Sequence, residues 1–162
     1  MANTSELTAA LRGALSRASV IVCVGHELAG DDAAGPLVAR ALAGKLPWPL
    51  YDARTVPENF LMKIAGHRPE VVLLIDAIDL GLPPGSVRLL EAADITGQGP
   101  STHGPAPIAF LDLLNMVHPC RRLVLGIQPR QTQFGQPPSP EVVAAVDRVA
   151  QALVQAGQRL SL

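Results

Sequence analysis

Long apolar runs, cysteine, aromatic side chains and net charge are all scarce in this chain, and each scarcity excludes a class of protein. No apolar run approaches the roughly 18 residues needed to span a bilayer, so membrane insertion is not expected. Only Cys23 and Cys120 are present, without the spacing of a zinc site or a disulfide framework, and both are expected to be buried, reduced thiols. A formal charge of −1 gives no bulk attraction to nucleic acid or anionic lipid, which leaves small molecules or proteins as partners. The N-terminus lacks the basic start and apolar core of a secretory signal, so the expected location is cytoplasmic. No GxGxxG or GK[ST] follows an apolar run, which weakens a dinucleotide reading and excludes a P-loop. The serines lack a nucleophile elbow, and Cys23 lies inside a strand-like run, badly placed for attack.

What is present fits one ordinary domain. The chain has 162 residues, 48% of them apolar and 17% charged, a balance that excludes disorder. Fifteen prolines and 3% aromatics point to an aliphatic core with firmly punctuated loops. Thr4 or Ser5 can cap a first helix whose Leu7, Leu11 and Leu15 form one stripe, an extension over residues 1–18. Strand-like segments then alternate with helical spacing over 19–162. They begin at Val20 to Val24, Leu50 to Ala53, Val71 to Ile75, Val87 to Leu90 and Leu123 to Ile127. Pro57 can open a helix carrying Phe60, Leu61 and Ile64, and Ser139 with Pro140 can open the last one. The expected fold is a single three-layer α/β/α domain with a mainly parallel, twisted sheet of about five strands and right-handed crossovers.

The stretch VIVCVGHELAGDDAAGP, from Val20 to Pro36, joins the first strand to a helix through a loop with two adjacent carboxylates. Asp31 or Asp32 can simply cap that helix, since a carboxylate there faces the positive end of its dipole. A second carboxylate changes the weighing. EVVLLIDAID runs five apolar residues directly into Asp76, which reads as a central parallel strand ending in an acid. His103 lies in a long loop-like stretch, Ala92 to Pro107. Ligands of such sheets bind beyond the carboxyl ends of the strands, where the strand order reverses. Asp32, Asp76 and His103 can meet there, with donors suited to a borderline divalent metal. Asp79 can orient loop backbone or cap a turn.

These blocks resemble one family. GHELAGDDAAGP is similar to the opening GN-x-x-x-x-DDG-x-GP motif of the hydrogenase maturation endopeptidases, and VPENF resembles the PEN segment of the hydrogenase 3-type subgroup. LIDAIDLGLPPGSVRL, THG and LGIQP continue the likeness in order, from Val20 to about Leu153. The resemblance implies that 19–162 form a maturation-protease domain. It implies an endopeptidase removing a C-terminal peptide from the large-subunit precursor of a [NiFe]-hydrogenase after nickel insertion. The family's metal ligands fall on Asp32, Asp76 and His103, and the nickel they meet is supplied by the precursor rather than held permanently. Two residues depart from the pattern. His26 stands where the family has asparagine, and can be a fourth donor or make loop hydrogen bonds. Ala33 stands where it has glycine, a costly exchange if the position needs positive φ. They motivate a rival reading, a non-catalytic binding module or chaperone for the immature large subunit. A small-molecule hydrolase on the same edge has no nucleophile signature behind it.

Overall fold

The computed structural model describes residues 3–95 and 106–160. In chain order, α1 (Thr4–Ala14) leads to β1 (Ser19–Val24), α2 (Ala34–Leu42) and β2 (Leu50–Arg54). α3 (Leu61–Gly66), β3 (Val71–Ala77), β4 (Val87–Glu91), α4 (Ala106–Val117), β5 (Arg121–Ile127) and α5 (Pro140–Gln158) follow. The five strands form one sheet in the order β2-β1-β3-β5-β4, parallel except for the antiparallel edge strand β4.

The unbroken apolar runs of the central strands follow from burial on both faces. Along β3, Leu73 and Ile75 join the cluster formed with α1, α2 and α5, whereas Val72 and Leu74 join the one formed with α3 and α4. β1 alternates likewise, with Ile21 and Cys23 on the first face and Val20, Val22 and Val24 on the second. Helix α1 lies along α5, and its Leu7 and Leu11 are buried in the first cluster. Burial, and secondarily the charge of Asp52, push the Cys23 thiol far above its usual range, so it is inert. Cys120 is free too but only half-buried, because it precedes β5 instead of lying within it.

Three local expectations differ. Asn3, not Thr4 or Ser5, caps α1, its side chain accepting from the Glu6 amide at 2.9 Å. The helix expected from Pro57 splits into a 3-10 turn, Pro57–Phe60, and the six-residue α3, with Phe60 leaving α-helical geometry at φ −107°, ψ 2°. Part of the expected loop after β4 is helical, with a 3-10 turn at Ala92–Asp94 and α4 starting at Ala106.

Candidate functional site

From β1 the chain crosses by α2 to β2 on one side, and from β2 it returns by α3 to β3 on the other side of β1. The chain leaves the carboxyl end of β1 toward β2 and that of β3 toward β4 and β5, so the two connections diverge at the β1/β3 boundary, the switch point of the sheet. Two carboxylates flank this boundary. Asp76 lies within β3, fully buried and opposite Gly126 of β5, with the parity of Val72 and Leu74. Asp32 lies in a 3-10 turn, Gly30–Ala33, which follows β1 and rests against β3, and is 6% exposed. His103, the third residue expected here, lies outside the described residues. Among the described residues no three His, Cys, Asp or Glu side chains form a group able to hold a metal ion.

The neighbouring aspartates have separate tasks. Asp31 is fully buried, and its carboxylate accepts four hydrogen bonds from residues 99 to 108 positions further along the chain. Oδ1 accepts from the Ser139 amide at 2.6 Å. Oδ2 accepts from the amides of Arg130 and Gln131 at 2.7 and 3.3 Å, and from the Ser139 hydroxyl at 2.8 Å. Charge-assisted bonds of this kind contribute about 1.5–3 kcal/mol each before non-additivity. Asp31 thus does serve a helix N-terminus, but that of α5, not of the helix that follows it. Ser139 is the N-cap residue of α5 and makes no side-chain cap of its own. Backbone bonds extend the join: the amides of Gly30, Asp31 and Gly135 donate to the carbonyls of Gln136, Gln131 and Leu28. Gly30 has φ 57°, a left-handed turn in the middle of this seam.

The two departures from the family motif do not distort the loop. Ala33 has φ −75° and ψ −3°, in the right-handed region, so glycine is not required there. The amide of His26 donates to the Asp32 carbonyl at 3.0 Å. Its Nδ1 accepts from the Leu28 amide at 3.1 Å, so the proton of the neutral ring sits on Nε2. The ring also stands edge-on to Phe134, with centroids 5.9 Å apart. His26 is therefore engaged in loop structure. Phe134, 73% exposed, crowns the joined loops. Beside them lies a cleft of about 270 Å³ lined by Gly25, His26, Glu27, Leu28, Arg54 and Thr55. Arg54 closes β2 with φ 52°, a conformation costly for a non-glycine residue, and its Nε reaches Glu27 at 2.8 Å.

The supporting contacts of two residues were not foreseen by sequence reasoning. Gln128, the residue after β5, is buried, and its Oε1 accepts from the Leu80 amide at 2.5 Å while Nε2 donates to Asp79 Oδ1 at 3.3 Å. Asp79 Oδ1 also accepts from the Gly81 amide at 3.1 Å, which is the turn-capping role. A polar residue directly after a buried strand was the available signal for Gln128. Ser139 was read as opening a helix, and its bond to Asp31 could not be seen from one end alone.

A mainly parallel α/β sheet of this kind defines a class of proteins in which ligands bind at the carboxyl edge of the strands, beside the switch point that Asp32 and Asp76 flank here. The profile of one family, described as "HycI: Hydrogenase maturation protease", matches residues 36–156. The chain belongs to the hydrogenase maturation proteases. It is 36% identical over 136 residues to the hydrogenase 3 maturation protease of Escherichia coli K12, covering 83% of this chain and 87% of that one. The crystal structure of a [NiFe] hydrogenase maturation protease HycI from Thermococcus kodakarensis superposes with a TM-score of 0.83 at 25% identity, covering 92% of this chain and 99% of that one. The solution structure of the endopeptidase HycI from Escherichia coli gives 0.73 at 33% identity, with 84% and 88% covered.

Proposed function

We propose that this chain is the endopeptidase that removes a C-terminal peptide from the nickel-loaded large-subunit precursor of a [NiFe]-hydrogenase, acting in the cytoplasm. The observation that carries the residue assignment is the division of labour in the aspartate pair. Asp31 is committed to four protein donors, so Asp32 is the member of the pair that joins Asp76 at the switch point. Asp32, Asp76 and His103 engage the nickel of the precursor, which is part of the substrate and not a resident cofactor. Carboxylate and imidazole donors suit such a borderline cation. Contact with the metal reports that loading is complete and brings the scissile peptide to the site, where the cation polarises the carbonyl or positions the attacking water. Asp32, slightly exposed, takes the proton of that water, whereas the fully buried Asp76 serves as a ligand.

The alternative of a non-catalytic binder drew on His26 and Ala33. The unstrained backbone at Ala33 and the intact His26 bonds to the Asp32 loop remove that motive. Incubation with nickel-loaded and nickel-free precursor should give cleavage in the first case alone. Equal cleavage of both would sink nickel gating, and cleavage of neither would sink the proteolytic reading.

A further inference from the structure

We infer that Asp31 is a positioning residue for proteolysis: by holding the segment Arg130 to Ser139 against the β1–α2 loop, it sets where Asp32 stands relative to Asp76. The inference rests on the proteolytic reading and adds a residue to it. Asp32 lies outside the sheet ladder, so its place depends on how its loop is held. Its amide donates to the Ala29 carbonyl at 3.0 Å and its carbonyl accepts from His26, bonds made within the loop itself. The side-chain ties from this loop to the second one centre on Asp31, whose amide reaches the Gln131 carbonyl at 2.9 Å while its carboxylate gathers the four donors. Glycine bonds on either side complete the seam. Without the carboxylate, four donors lose their acceptor, and only backbone bonds such as Gly30 to Gln136 and Gly135 to Leu28 still join the loop carrying Asp32 to the second loop. An error of about 1 Å in a reacting group lowers turnover by roughly a hundredfold, so a loose anchor affects the rate before it affects binding.

The two carboxylate oxygens permit a selective test. In Asp31→Asn one oxygen remains, and whichever way the amide turns its NH2 meets a backbone donor: the Ser139 amide when the oxygen keeps the Arg130 and Gln131 bonds, or those two amides when it keeps the Ser139 amide bond. The expected result is a kcat lower by at least about tenfold with KM changed less than about threefold. Hydrogen exchange at the Gly30, Gln131 and Gly135 amides should quicken by a similar factor, while β1, β3 and β5 stay protected. Ser139→Ala removes one donor and should move kcat and exchange in the same direction by less, and it serves if Asp31→Asn does not fold. Val149→Ala, a buried change further along α5, should lower Tm and leave kcat alone. Faster loop exchange with unchanged kcat in either variant, or lost turnover with wild-type exchange, would overturn the inference. So would a loss of kcat in Val149→Ala matching that of the Asp31 or Ser139 variant at equal Tm. A wild type that leaves nickel-loaded precursor whole removes the proteolytic reading along with it, whereas a cutting wild type beside an equally active Asp31→Asn protein removes this inference alone.

Discussion

Asp76 and Asp32 reach the same sheet edge by different means. Asp76 is part of β3, between strands paired on both sides, and its position is inherited from a ladder running from Val71 to Ala77. Asp32 is held in a turn, beside an aspartate whose bonds cross to the other end of the sequence. A site can thus combine one carboxylate placed by the core with one placed by a loop seam. The first is as stable as the sheet, and the second can be altered without unfolding it.

The largest expected effect tests the core-placed side. Asp76→Asn keeps the volume of a fully buried residue but replaces a carboxyl oxygen with an NH2 that cannot ligate a cation, and precursor cleavage should fall by at least about a hundredfold, read by mobility shift of the processed subunit. Retained cleavage would remove Asp76 from the site. Next is the junction where α2 leaves β1. A Cβ on Gly35 would overlap the Val24 carbonyl, so Gly35→Ala must push α2 off the strand, costing about 1–3 kcal/mol in a denaturant melt. An unchanged midpoint would mean that the close approach is not needed. Gln128→Ala deletes the acceptor of the Leu80 amide and should cost about 1–2 kcal/mol, with faster exchange confined to residues 79–82. The smallest effect is at the motif departure. Ala33→Gly restores the family residue, yet with φ at −75° it should lower stability by about 0.4–1 kcal/mol and leave cleavage unchanged. A gain in stability would show that the turn favours positive φ after all.

Much of this architecture was legible beforehand. Runs such as Val71 to Ile75 are apolar at every position because both faces are covered, and a half-buried strand cannot present that pattern. The cut at Phe60 was not legible, because the sequence beyond Pro57 keeps helical spacing while the backbone leaves the helix at one residue. Asp32 and Asp76 were readable as candidates from strand ends and motif spacing, and His103 stays an expectation of that reading. The different duties of Asp31 and Asp32 could not be read, since two identical neighbouring side chains differ only in what surrounds them.

By itself the sequence determined the alternation of strands and helices, the aliphatic core and the family, all of which are carried by local pattern. Tertiary structure alone decided that Ala33 needs no glycine, that His26 serves the loop, and that Asp31 caps a helix 108 residues away. Periodicity and turn chemistry act over a few residues, whereas a buried carboxylate takes its role from whichever donors folding brings to it.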